Sequence, residues 1–334
     1  MSFKPSRLIA ILAGVLLMLG FTPAVTASAD EDARAEHQRI INFWTKDKVA
    51  KAKPRDFVRD PATGEFTLTA PEATQVLGAS WEGGGKVQRT TGKVLFAMGK
   101  SYYVCSASVV TDTNSARSIV LTAGHCVFDN KTGRFATNWM FVPDYDSSAA
   151  TLTTNGSFCP RTTYGCWTAT SLVVHKGFAS QRKFNTQATR YDFAFAVVGA
   201  GGKTNPLAQL DTTVDSQAIG YQTVGNATDT YLFGYPAAAP YTGKDLIYSE
   251  GLLGTDPLNN NLTYRVTSTM TGGSSGGPWF SPFDANTGVG TMMSLNSYGY
   301  TGISAMHGPF FNDTTQALFT TAASNSTTKN TVVG

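Results

Sequence analysis

At 334 residues the chain is long enough for one large domain or two small ones, and too long to depend on metals or disulfides as its only source of stability. A hydrophobic fraction of 42% excludes wholesale disorder, and 15% charged residues together with 33 glycines favour strands and tight turns, so an all-β body is expected. The net charge of +3 is not concentrated: Lys4 and Arg7 supply two, residues 30–93 hold 11 basic against 10 acidic, and residues 94–334 balance at 13 each, so no nucleic-acid or anionic-membrane surface is implied.

Lys4 and Arg7, an apolar run from Leu8 to Phe21 and then Ala27-Ser28-Ala29 follow the order of a secretory signal peptide, with cleavage expected after Ala29. The run is too short for a membrane anchor, which needs roughly 20 apolar residues. The expected location is therefore extracellular, with no membrane attachment after signal removal, in a compartment where the four cysteines can be bridged.

Residues 30–93 carry 21 charges in 64 positions and residues 94–334 carry 26 in 241, so charge density falls about threefold there. The charged segment contains a helix expected over Glu31–Ala52, with Ile40, Ile41, Phe43 and Trp44 as its apolar cluster, and ends in Pro- and Gly-rich stretches including Gly83-Gly84-Gly85. It reads as a propeptide and cleavable linker over 30–88, against the alternative of a solvated arm that stays attached. The expected body, 89–334, shows short apolar runs at 94–98, 106–110, 118–122, 139–142, 167–174, 193–198, 231–235, 262–266 and 290–295, each strand-like and separated by turns. With no helices able to serve as crossovers, a pair of antiparallel barrels or a sandwich remains. Residues 324–334 are polar and expected to fray.

Two segments carry the chemistry, Leu121-Thr122-Ala123-Gly124-His125-Cys126 and Gly272-Gly273-Ser274-Ser275-Gly276-Gly277-Pro278. A serine hydroxyl needs a base to act as a nucleophile, and imidazole alone titrates near neutrality unperturbed. Of four histidines, His37 lies in the charged segment, His175 ends a strand and His307 sits near the C-terminus. His125 follows an apolar strand and a small Ala-Gly pair that leaves room for substrate.

The two segments resemble the histidine and serine motifs of the chymotrypsin-like serine peptidases, and the likeness extends over about residues 90–320 through Cys105–Ala107, Arg190–Phe195 and Ser297-Tyr298-Gly299. Gly234-Tyr235-Pro236 looks more like the secreted bacterial glutamyl-endopeptidase branch than the animal enzymes. The resemblance implies two antiparallel six-stranded barrels, about 90–200 and 205–315, with the site at their junction and a short C-terminal helix. It implies Ser275 as nucleophile, His125 as base, Asp192 as the carboxylate that fixes the imidazole, and the N–H groups of Gly273 and Ser275 as the oxyanion hole. It also implies the disulfide pairs Cys105–Cys126 and Cys159–Cys166, since four cysteines alone allow three pairings. Asp129, Asp144, Asp146, Asp211 and Asp215 sit in turn-like surroundings and compete less well with Asp192, whose alternative is a salt bridge with Arg190.

The resemblance further implies that polypeptide substrate adds as a strand beside Ser297-Tyr298-Gly299 and that the pocket base, six residues before the serine, is Thr269, which does not support a preference for Lys or Arg. Where the glutamyl enzymes have a pocket histidine this sequence has Asn296; His307 could replace it or simply pack. Ser274 stands where the animal enzymes use an Asp to bind the newly freed N-terminus, so that activation switch is lost, and the propeptide would act by blocking the cleft or assisting folding. No metal, organic cofactor or nucleic-acid partner is implied, and the expected form is a monomer. Two other readings are a catalytically inactive binding module on this scaffold and an α/β-hydrolase, whose Gly-x-Ser-x-Gly elbow also matches. The latter needs a helix after the serine, but Pro278 and Pro282 follow and only 59 residues remain.

Overall fold

The computed structural model describes residues 25–68, 77–113, 116–145, 158–203, 206–324 and 329–334. The apolar run expected as a signal peptide lies outside the described residues, whereas Ala29 falls within the first helix, Val25–Phe43. That helix and a second one, Lys46–Ala50, replace the single helix expected over Glu31–Ala52. The break is at Trp44 and Thr45: the Thr45 hydroxyl caps the second helix by accepting from Lys48 N, while Trp44 is buried and its indole N–H reaches the Asn138 carbonyl at 2.8 Å.

Four short strands follow, β1 (Lys53–Pro54), β2 (Phe57–Arg59), β3 (Phe66–Leu68) and β4 (Ala79–Ser80). The charged segment is thus neither a free arm nor a single helix. Next come β5 (Thr91–Met98), β6 (Ser101–Val110), β7 (Ser118–Thr122), a small hairpin of β8 (Phe128–Asp129) and β9 (Arg134–Phe135), then β10 (Thr137–Pro143), β11 (Trp167–His175) and β12 (Ala194–Val198). Strands β6-β5-β10-β11-β12-β7 pair in that order, and β6 pairs again with β7, closing a six-stranded antiparallel barrel. Its strands are buried along nearly their full length because both the barrel interior and the packed outer face exclude water.

The second half contains β13 (Ala218–Ile219), β14 (Asp229–Gly234), β15 (Ile247–Leu252), β16 (Gly254–Thr255), β17 (Thr263–Thr267), β18 (Pro278–Asp284), β19 (Val289–Leu295), β20 (Tyr298–Tyr300), β21 (Ile303–Pro309) and β22 (Thr331–Val333). Here the ladder divides into two sheets, β13-β19-β18-β14-β15-β4 and β16-β17-β21-β20-β2-β3. Side-chain bonds bridge them, with Ser249 Oγ and Ser268 Oγ 2.9 Å apart and Ser294 Oγ donating to the Pro309 carbonyl at 2.7 Å. The arrangement is therefore barrel-like but incompletely closed.

Three features of the periphery bear on the expectations. The boundary expected at residue 88 falls inside the helix Gly85–Thr90, whose Val87 is fully buried, and Trp81 packs edge-on against Phe233 and Tyr248, so these two side chains anchor residues 79–88 to the body. The C-terminal helix exists, Asp313–Ala323, started by a capping box between Asn312 and Thr315. Of the polar tail expected to fray, Thr331–Val333 instead form β22, parallel to β11, with Asn330 Oδ1 accepting from Leu172 N at 2.9 Å.

Candidate active site

His125 sits in a turn of 3-10 helix, Gly124–Cys126, entered directly from β7. Its ring is completely buried, and Nδ1 lies 2.8 Å from Asp192 Oδ2. The other carboxylate oxygen of Asp192 accepts from the His125 backbone N–H at 2.8 Å, so one carboxylate fixes both the ring and the main chain that carries it. Ser297 Oγ adds a third bond to Asp192, at 2.5 Å. Three donors around a buried carboxylate offset the cost of removing it from water. Arg190 bonds Gln187 and stacks on Tyr191, so the alternative of an Arg190–Asp192 pair does not hold. Among the competing acids, Asp129 pairs with Arg55 and Asp215 with Lys86 and Arg89; Asp146 lies outside the described residues.

Ser275 is brought beside this pair by the first barrel. Its carbonyl accepts from Ser106 N at 2.7 Å and lies 3.8 Å from Cys126 Sγ. Gly273 has φ +101°, a conformation open to glycine, and a Cβ there would come within 3 Å of the Tyr235 carbonyl. The preceding carbonyl, Gly272 O, accepts from Ala237 N at 2.5 Å and Ala238 N at 3.2 Å. That anchoring turns the Gly273 N–H the other way, into the cleft. The donor is thus set in place by loop 237–238, with Ser274 where the animal enzymes carry an activating Asp. Cys105–Cys126 and Cys159–Cys166 are both bridged, and the first ties β6 to the turn bearing His125.

The cleft is occupied by the chain's own Asp56. Ser275 Oγ donates to Asp56 Oδ1 at 2.5 Å, and Gly273 N donates to Oδ2 at 2.7 Å. His125 Nε2 is left as a buried nitrogen without a hydrogen-bond partner. Burial pushes the Asp56 carboxyl above its usual range, against the opposing pull of His125, the Ser275 hydroxyl and the Gly273 N–H. Nothing in the sequence singles out Asp56 from the other acids of residues 30–93; only its position in space does.

A cavity of about 90 Å³ adjoins Asp56, walled by Ser268–Gly272, Ser297–Tyr300 and Gly302–Met306. Asp56 is the one carboxylate on these walls, which carry no Lys, Arg or His, and it comes from the N-terminal segment. Thr269 does lie here, its hydroxyl accepting from Leu77 N and Gly78 N and sharing a 2.9 Å bond with the Tyr241 hydroxyl. Tyr298 and Gly299 line the same space, while Ser297 serves Asp192 with its side chain.

Asn296 faces away from this cavity's chemistry. Its amide donates to the Phe233 and Ser274 carbonyls and accepts from the Trp279 indole, which braces the serine loop. His307 lies behind β20, stacked on Tyr298, with Nδ1 3.2 Å from the Tyr298 carbonyl and Nε2 3.8 Å from Asp256. Burial lowers its pKa to about 4, so it packs as a neutral ring. His37 bonds Thr168, and His175 caps the helix Lys176–Ala179.

No protein-family model and no curated protein matches the chain. Solved structures do. The protease Anisep from Arthrobacter nicotinovorans is 33% identical over 76% of this chain and 99% of its own, with a TM-score of 0.59. The thermostable serine protease AL20, from an extremophilic microorganism, is 32% identical over 72% of this chain and 100% of its own, also at 0.59. With the closed barrel, the incompletely closed second half and these relatives in agreement, the chain belongs to the chymotrypsin-like serine proteases.

Proposed function

We propose that this protein is a secreted serine endopeptidase made as a precursor, cleaving polypeptides through an acyl-enzyme formed on Ser275. The observation that carries this reading is the binding of one carboxylate, that of Asp56, by the Ser275 hydroxyl and the Gly273 N–H together, beside a His125 ring held by Asp192. A planar carboxylate there stands in for a peptide carbonyl: one group is poised to attack and the other to receive the oxygen's developing charge.

With the cleft free, His125 Nε2 would take the Ser275 proton as Oγ attacks the carbonyl carbon. Asp192 holds the ring with Nε2 facing the serine and stabilises the cation that forms. The N–H groups of Gly273 and Ser275 would bind the oxyanion. His125 would then pass its proton to the leaving amine, and a water activated by the same ring would release the acyl group.

The pocket supports a preference for neutral side chains before the cut. Its own walls present hydroxyls, methionines and backbone, with no carboxylate to pair Lys or Arg and no cation to pair Glu. Disulfides support an oxidising, extracellular destination.

The test is casein hydrolysis by the processed secreted protein. Ser275→Ala and His125→Ala should each lower kcat by roughly 10⁴-fold or more with the fold intact. A fluorophosphonate reagent should label Ser275 stoichiometrically; label on Ser274 alone, or full activity in Ser275→Ala, would overturn the assignment. An absence of any label would favour the inactive binding module.

A further inference from the structure

Resting on the reading of Ser275, His125 and Asp192 as a peptidase site, we infer that the cleft also binds a second ligand class: an extended peptide of reversed polarity that presents an Asp side chain to the reacting centre. In this chain that ligand is the segment Lys53–Arg59.

The polarity follows from where the two ends of the segment lie. The general acid of a peptidase must stand beside the leaving nitrogen, so residues after the scissile bond pass the His125 side, and residues before it pass the pocket. Here the order is inverted. Lys53 and Pro54 come first and pair with Tyr103 and Val104 of β6, on the side of the Cys105 bridge. Arg55 follows, its guanidinium donating to the His125 carbonyl and lying 3.3 Å from Asp129 Oδ1. Asp56 is next, at Ser275. Phe57, Val58 and Arg59 then run along Tyr298, Gly299 and Tyr300, parallel to β20.

The segment is held along its length. Phe57 stacks on Phe184 with centroids 4.0 Å apart and planes 3° from parallel, and meets the His125 ring edge-on at 5.4 Å. Arg59 donates to the Leu258 carbonyl and to the Tyr300 hydroxyl. On the far side, β3 doubles back to pair with β2, so Phe66 also packs edge-on against Phe184 and Tyr298. Gly272 leaves the necessary space: a Cβ there would come 2.7 Å from Pro54 Cβ and 2.8 Å from Asp56 Oδ2.

The chemistry of this mode is inert. The atoms at Ser275 belong to a carboxyl group whose carbon bears two oxygens and no amine, so attack would have no peptide bond to break. Main-chain amides on either side run in the wrong direction for His125 to protonate their nitrogens. The segment fills the cleft without becoming a substrate, and the oxyanion donor is kept in its working orientation rather than collapsed. The recognised features are an Arg before the Asp and a Phe after it, on an extended backbone added to β20.

The test uses the full-length secreted chain, uncut, and the fluorophosphonate reagent. Ser275 in the precursor should label slowly; Asp56→Ala should raise the rate by roughly tenfold or more, and Asp56→Asn by less, because the amide keeps an oxygen for Gly273 N–H. Glu65→Ala, on the exposed turn before β3, should leave the rate as it is. Amide hydrogen exchange at Phe57–Arg59 and Tyr298–Tyr300 should be slow in the wild type and faster in Asp56→Ala, whether or not Ser275 reacts. Equal labelling and exchange in wild type and Asp56→Ala would overturn the inference, as would self-generated fragments beginning at Asp56 or Phe57. Failure of Ser275 to label in every variant and after processing would remove the peptidase reading instead, while the exchange measurement would still decide the binding mode.

Discussion

His307 shows how a residue type with catalytic promise can be claimed by packing. Burial against Tyr298 and Tyr300, helped by Arg265, lowers the pKa of its ring to about 4 against the opposing pull of the Asp256 carboxylate and the Tyr298 carbonyl. The folded protein therefore keeps the ring neutral while the unfolded chain takes up a proton near 6.5. Its contribution to stability is present above pH 6.5 and is lost as pH falls toward 4, by about 3 kcal/mol at most. His307→Gln should flatten that acid limb, seen as a smaller drop in the urea midpoint between pH 7 and pH 4.5. An identical drop in both proteins would show that other groups set the acid limit. By contrast, His125 owes its candidacy to its neighbours: an Ala-Gly entry and an adjacent half-cystine were visible in sequence, and Asp192 reaches it from 67 residues away.

At the scale of elements, the apolar runs marked most strands of the first barrel closely, because those strands are buried on both faces and hold unbroken apolar stretches, Val94–Met98, Ile119–Leu121 and Ala194–Val198. The longer strands that escaped notice, β15, β18 and β21, mix buried and exposed positions or contain Pro and Gly, so their period is blurred. β1 to β3 were invisible for a different reason: two or three residues acquire strand geometry only by pairing with β6 and β20. The Cys105–Cys126 bridge links two of the clear elements across 21 residues of sequence. Replacing both cysteines by serine should cost about 3 kcal/mol by the loop-closure argument and lower kcat as the His125 turn loosens. Chemical denaturation and casein turnover would measure the two effects, and unchanged values in both would mean that the barrel alone holds the turn.

Across the whole molecule, the N-terminal segment changes role along its length. Residues 31–67 lie on the surface of the body and in its cleft, while Ala79–Thr90 are built into it through β4, Trp81 and Val87. Trp81 touches Phe233, Tyr248 and Phe283. Trp81→Ala should therefore destabilise the protein by about 3 to 5 kcal/mol, in the precursor and after processing alike. Equal melting temperatures for variant and wild type after processing would place Trp81 in the removed part.

The sequence by itself determined the class and offered the candidate chemistry: the serine and histidine motifs and a run of buried strands are local patterns, fixed by backbone needs and by burial. What only the tertiary structure decided is which distant groups meet. Asp192 with Ser297, the orientation of Gly273 by Ala237 and Ala238, and above all Asp56 against Ser275 are contacts between segments far apart in the chain. The physical reason is that a hydrogen bond across 219 residues leaves no periodicity for either partner to display.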